Sequence, residues 1–189
     1  MATAANDILP YFDLVKQGRV FTGNIASAGV ILPIFSNTTQ QFGLWNPIGS
    51  GVDIVLLRLG LTYVSGTGAA GGYVLGWLPN APAAIGTGLA ITAFTETAAI
   101  SAYPGGGFTS VAKFAQGATI TVTAPTVKRH LGINQNAFTA VGTGQMPYDV
   151  ERSFFGLETL TPGSAVFVAG NIATLSTFSG GITWAEIPR

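Results

Sequence analysis

Residues 42–65 read FGLWNPIGSGVDIVLLRLGLTYVS, and this stretch decides the fold of the chain. A short strand-like run is followed by a turn, at 46–51, and by a long extended run, at 52–64. The Asn-Pro pair and the two glycines of the turn favour a reversal of chain direction. Asp53 and Arg58 interrupt the long run too irregularly for one face of a helix. We therefore predict a hairpin whose second strand lies in the middle of a sheet, covered on both faces over part of its length.

Most of the remaining chain consists of short strand-like segments separated by Gly and Pro turns. These segments are residues 19–23, 28–35, 73–78, 89–100, 118–122, 126–133, 153–160, 165–169 and 181–187. Residues 89–100 alternate weakly as a strand would, although their Ala content also permits a helix. We expect the last two segments to pair as a second hairpin, residues 80–88 to form a loop rich in Pro, Ala and Gly, and the polar residues 134–146 to form a long surface loop. No repeat of fixed period is visible. This pattern predicts an all-β fold with one domain, a β-sandwich or a jelly roll.

The first residues differ from the rest of the chain. Residues 1–7 are small and polar, as in an arm that becomes ordered against a partner. Pro10 can then open about two turns of helix, which Gly18 can end. We therefore divide the chain into an amino-terminal arm with a short helix, residues 1–18, and a β-domain, residues 19–189.

Charge is scarce in this chain. Only 8% of its residues are charged, against about 25% in ordinary soluble proteins. The eight basic and eight acidic residues give a formal net charge of zero. A monomer normally stays soluble through its charge. We therefore expect part of the exterior to face other subunits in a homo-oligomer.

Several partners and compartments are disfavoured by the same composition. There is no basic field for nucleic acid or for an anionic membrane, and the cluster Lys128, Arg129 and His130 is too short to supply one. Residues 59–95 carry no charge, but their glycines and prolines interrupt any membrane-spanning helix. The chain has no Cys, and its amino terminus lacks the pattern of a secretory signal. We expect a protein made in the cytoplasm that binds neither nucleic acid nor membrane.

The residues that could carry chemistry are few. Residues 66–71 match the GxGxxG fingerprint, but the glycines and proline that follow oppose the helix that a dinucleotide site requires. His130 is the only histidine, so a His cluster for zinc cannot form. Asp149 and Glu151 alternate on a predicted strand, and solvated charge is favoured there over a Ca²⁺ site. We predict that the protein is not an enzyme and holds no cofactor or metal.

Aromatic residues are the remaining candidates for a functional site. Trp45, Trp77 and Trp184 could form a platform for sugars, but each lies in a predicted strand, which favours packing in the core or at a subunit interface. Tyr11 and Phe12 would form an apolar side of the short helix. We predict that these five residues contact partners.

Two blocks of the chain carry a resemblance to a known class of proteins. Residues 44–67 read LWNPIGSGVDIVLLRLGLTYVSGT, and residues 162–170, PGSAVFVAG, are followed by GITWAEIP at 181–188. This pattern resembles small β-structured virion proteins of tailed bacteriophages, of the capsid decoration (cement) or head-fibre type. The resemblance covers about a quarter of the sequence. It implies a jelly-roll trimer at the capsid surface of a virion.

Two functions follow as hypotheses. The first is a structural virion protein that binds the outside of a capsid, through its major capsid protein, and stabilises the shell. The second is a receptor- or glycan-binding component of a phage fibre or spike. In that case the Gly-rich loops and residues 134–146 would form the recognition surface.

Overall fold

The computed structural model describes residues 9–36, 39–68, 70–79, 96–121, 125–134, 149–173 and 175–189. Within these ranges the chain forms one helix, α1 (Leu9–Lys16), and eleven strands. The strands are β1 (Val20–Asn24), β2 (Val30–Ile31), β3 (Thr39–Trp45), β4 (Val52–Ser65), β5 (Gly71–Leu78), β6 (Ile100–Ser101), β7 (Lys113–Thr121), β8 (Thr126–Asn134), β9 (Asp149–Leu160), β10 (Ala165–Gly170) and β11 (Thr177–Pro188). The arm at 1–7, the predicted loop at 80–88, most of the predicted strand at 89–100, and the predicted loop at 134–146 except Asn134, which ends β8, lie outside the described residues.

The strands form two antiparallel sheets. Sheet A has the order β6-β1-β11-β4-β9, with β2 also paired to β11, and sheet B has the order β7-β3-β10-β5-β8. Early strands pair with late ones in a nested series, namely β1 with β11, β3 with β10, β4 with β9 and β5 with β8. An antiparallel ribbon rolled up in this way is a jelly roll. The prediction of an all-β, single-domain fold is confirmed.

Both predicted hairpins are wrong. Strand β3 belongs to sheet B and β4 to sheet A, so residues 46–51 carry the chain from one sheet to the other. The amide of Asn46 fixes this crossing, because its Nδ2 donates to the carbonyl oxygens of Val52 (2.9 Å) and Leu160 (2.8 Å). Strands β10 and β11 are likewise in different sheets. The local sequence pattern predicts that a strand exists. Which strand it pairs with depends on how the apolar faces of the two sheets pack against each other.

Strand β4 lies in the middle of sheet A, between β11 and β9, as predicted. Its inward residues are Ile54, Leu56, Leu59 and Leu61, and between Leu56 and Arg58 the residue Leu57 has no counterpart on β11. That β-bulge shifts the alternation by one residue and explains the irregular spacing of polar residues in the sequence. The strand that is buried on both faces is β10, all six residues of which are buried.

The main core lies between the two sheets. Inward side chains from both sheets form one cluster, in which Phe21 and Trp184 of sheet A meet Phe114 of sheet B. A second cluster lies on the opposite face of sheet B, where Phe35 stacks on Phe167 with ring centroids 5.8 Å apart. Alternation along β10 assigns Phe167 to the second cluster and its neighbours Val166 and Val168 to the first.

The predicted short helix is confirmed. Helix α1 is followed by Gly18, whose φ of +68° suits the left-handed end of a helix. The Gly18 N–H donates to the Val15 carbonyl (2.9 Å) and the Arg19 N–H donates to the Leu14 carbonyl (2.9 Å). These bonds turn the chain directly from α1 into β1, so the helix is held beside sheet A.

Candidate interaction surfaces

The side chains that could carry chemistry are dispersed. Strand β5 begins at Gly71, so no helix follows the GxGxxG match. His130 is exposed on β8, and Glu151 pairs with Arg58 across 2.8 Å at the surface of sheet A. Within the described residues, no group of three or more His, Cys, Asp or Glu could hold a metal ion. The part of the chain that the structure describes also contains no helix long and apolar enough to cross a membrane.

The three tryptophans occupy different environments. Trp184 is 0% exposed and packs in the main core, and Trp45 is buried in the second cluster. Trp77 is half-buried, and its ring lies 5.1 Å from Lys128 Nζ. The sequence left two environments open for these rings, the core and a subunit interface. Trp45 and Trp184 lie in the core. Trp45 lies in the second cluster, whereas Trp77 packs against the main core that contains Trp184. The three rings therefore do not form one platform for a sugar.

The predicted contact residues of α1 lie at the surface. Tyr11 and Phe12 are both exposed, Phe12 by 49%, and together we call them the α1 surface. Lys16 Nζ lies 4.4 Å from the centre of the Phe12 ring, a cation–π arrangement. Nearly half of the Phe12 side chain nevertheless remains open to a partner.

A second apolar surface adjoins α1 and comes from the segment between β6 and β7. Ile100, Tyr103 and Phe108 are exposed, and we call them the β6–β7 surface. The ring of Phe108 covers Gly18, where a Cβ atom would come within 2.0 Å of the ring. Tyr103 packs beside Phe108 with ring centroids 6.3 Å apart. Only glycine at position 18 permits this contact, which links the β6–β7 segment to the end of α1.

A third apolar surface lies at the other end of sheet A. Between the pairs Leu56↔Glu158 and Arg58↔Ser153, the single β4 residue Leu57 faces residues 154–157 of β9. We call residues 154–157 the β9 bulge. Phe154 points into the core, whereas Phe155 is 80% and Leu157 is 74% exposed.

The backbone of the β9 bulge is strained. Phe155 has a φ of 51° and is the non-glycine residue with a positive φ among those described, and Gly156 follows with a φ of 77°. A bulky side chain with positive φ is an outlier that costs of order 1–3 kcal/mol. The strain holds an apolar side chain outward at the edge of a sheet.

Buried carboxylates have structural partners. Glu186 accepts hydrogen bonds from Ser110 Oγ, from the backbone N–H groups of Val111 and Ala112 (both 3.1 Å), and from Trp184 Nε1 (3.3 Å). It therefore ties the segment before β7 to the end of β11.

Glu158 joins strands β8 and β9 where they meet at the side of the sandwich. It pairs with Arg129 (2.8 Å) and Lys128 (3.4 Å), so two members of the basic cluster at 128–130 bind an acid of this chain. Both buried acids hold the fold together, and neither faces an open site.

Sequence reasoning missed Phe155, Leu157 and the β6–β7 surface. One signal for the bulge was present: Phe154 and Phe155 are adjacent in a predicted strand, where alternation requires one of the two rings to point away from the core. No feature of the sequence indicated the positive φ of Phe155. It depends on the number of residues that β9 places opposite Leu57, which is a property of strand pairing.

No protein-family model, curated protein or solved structure matches the chain.

Proposed function

We propose that this protein is a structural subunit of a phage virion that binds the outside of the capsid as a homo-oligomer, a trimer being the arrangement we favour, and stabilises the shell. The observation that carries the proposal is the combination of 8% charged residues with apolar side chains exposed on α1, on the β6–β7 segment and on β9. Apolar residues surrounded by little charge are typical of surfaces that other proteins cover.

The α1 surface is the proposed anchor on the major capsid protein. Tyr11 and Phe12 project from a helix that is held beside sheet A through Gly18 and Phe108. Exposed aromatic rings on a fixed element lose little conformational entropy on binding. Aromatic residues are also enriched among those that dominate the free energy of protein–protein binding.

Stabilisation of the shell would follow from mass action. A subunit that binds only the assembled shell stabilises it by RT ln(1 + [L]/Kd), about 2.7 kcal/mol per site at a hundredfold excess of concentration over Kd. An oligomer that engages several capsid subunits at once adds avidity, because the second contact is intramolecular. No catalytic group is needed for either effect.

Removing the anchor should abolish binding to the shell. The experiment uses empty shells of the phage that encodes the chain, prepared without this protein, and measures its sedimentation with them. We expect the wild-type protein to bind in hundreds of copies per particle. Deletion of residues 2–17, or the double substitution Y11S/F12S, should weaken binding at least tenfold because the apolar contacts are lost.

The matched control is I48S, which removes another exposed apolar side chain, in the crossing between β3 and β4. We expect this variant to bind shells like the wild type and all variants to keep the circular-dichroism spectrum of the β-domain. Failure of the wild-type protein to bind shells would overturn the proposed function. A count of only a few copies per particle would favour a fibre component.

A further inference from the structure

The exposed and strained β9 bulge has no explanation within the fold of one chain. Phe155 is 80% exposed, so it contributes little to the core. Gly or Asn at this position would adopt the same φ with less strain. Outward bulges can protect a sheet edge from pairing, but charged residues do so without exposing apolar area. The combination of strain and exposed apolar area instead indicates a contact site.

The surroundings of the bulge resemble a protein interface. Leu57 and Val55 of β4 are half-buried beside it, so the apolar area extends beyond Phe155 and Leu157. Beside it, Arg58 and Glu151 neutralise each other through a bridge of 2.8 Å, and Arg152 Nε donates to the Leu131 carbonyl. An apolar centre with polar groups around it is the usual anatomy of a protein–protein contact.

The opposite end of sheet A carries a different apolar surface. Strand β6 is the first and β9 the last strand in the order β6-β1-β11-β4-β9. The β6–β7 surface lies in residues 97–112, which contain no charged residue. Two unlike apolar surfaces at the two ends of one sheet are what a head-to-tail contact between identical subunits requires.

We propose that the β9 bulge of one copy binds the β6–β7 surface of the next copy, so that the chain assembles into a closed ring. The partner is a second copy because each copy presents both apolar surfaces, because the exposed side chains of both are uncharged, and because a chain of net charge zero does not repel itself. Ring closure is favoured over a filament when the rotation between subunits divides the circle. The inference deepens the proposed function, on which it rests for the existence of an oligomer, by naming the surfaces that join the copies.

Substitutions in the bulge test the contact directly. Native mass spectrometry and mass photometry of the purified full chain should give a multiple of 19.4 kDa for the wild type. F155N and L157N should give single chains at concentrations where the wild type is assembled, with association at least tenfold weaker. Asn is chosen because it tolerates the positive φ at position 155.

The matched control is L175N. Leu175 is 72% exposed, close to the 74% of Leu157. Its N–H bonds to Thr67 beyond the far end of β4, and Leu57 and Ser65 are separated by ~26 Å of extended strand. This variant should assemble like the wild type.

A mixing experiment tests the head-to-tail geometry. F155N retains an intact β6–β7 surface, and Y103S/F108S retains an intact bulge. Each variant alone should be a single chain, while an equimolar mixture should contain 1:1 pairs, since one complete contact can form. Absence of pairs in the mixture would contradict the inference. A dimer of either variant alone would show that like surfaces meet, which also contradicts it.

Failure of the inference and failure of the proposed function are distinguishable. An F155N variant that assembles like the wild type overturns the inference, whether or not the protein binds shells. A wild-type protein that is a single chain, and whose binding to shells is weakened by F155N, also overturns it, because the bulge then contacts the shell. Rings that depend on Phe155 but do not bind shells support the inference and overturn only the proposed function.

Discussion

The aromatic residues of the main core and those of the outer surfaces differ in what surrounds them. In the core, the Trp184 ring lies 6.4 Å from the ring of Phe114 and 6.3 Å from that of Phe21, and none of the three is more than 1% exposed. At the surface, Phe155 and Phe12 have large exposed areas. The same residue types therefore occupy two environments, which differ in burial.

This difference predicts which measurement each residue affects. A buried ring contributes to the free energy of unfolding, because its removal leaves a cavity and exposes apolar area. An exposed ring contributes little to folding, so any substantial role it has must be found in association. Substitutions in the two regions should therefore change different quantities.

The largest loss of folding stability is expected from a substitution in the core. W184A should lower the free energy of unfolding by about 3–5 kcal/mol, since Trp184 is fully buried and bridges the two sheets. Urea denaturation followed by circular dichroism measures this loss. W184F, which keeps an aromatic ring, should lose less. A loss below 1 kcal/mol for W184A would show that the ring is not part of a packed core.

The second largest loss of folding stability is expected from removing a buried carboxylate. E186A should destabilise the protein by about 3 kcal/mol, because it leaves the N–H groups of Val111 and Ala112 without their acceptor. The matched control is E151A, since Glu151 is exposed and its pair with Arg58 is screened by solvent. That substitution should change stability by no more than about 0.5 kcal/mol. Equal effects of the two substitutions would contradict the structural role of Glu186.

The smallest expected effect is a gain in folding stability rather than a loss. F155N should raise the free energy of unfolding of the single chain by about 1 kcal/mol, because Asn adopts a positive φ with less strain than Phe. Thermal unfolding at a concentration where both proteins are single chains gives the comparison. Destabilisation by more than about 1 kcal/mol would mean that Phe155 supports the fold, and the contrast between core and surface would fail.

The sequence predicts individual helices and strands better than it predicts which strands pair with one another. The run at 52–64 predicts β4, and Pro10 with Gly18 predicts α1, because both depend on local periodicity and local backbone preference. The crossing at Asn46 could not be predicted, since the bond from its amide to Leu160 joins residues far apart in the chain.

The candidate surfaces were predicted in part. Tyr11 and Phe12 could be identified because a short helix with several apolar residues cannot bury them all. The outward position of Phe155 instead depends on the long-range pairing of β9 with β4. The burial of Trp184 likewise follows from its place on the inner face of sheet A, which periodicity alone does not fix.

We infer that further copies of the chain cover its weakly charged, partly apolar exterior. Sedimentation equilibrium of the purified wild-type protein, over a wide range of concentrations and at physiological salt, measures the mass of the species it forms. We expect a closed assembly whose mass is a small multiple of 19.4 kDa. A single species of 19.4 kDa at every concentration, soluble without a partner, would contradict it.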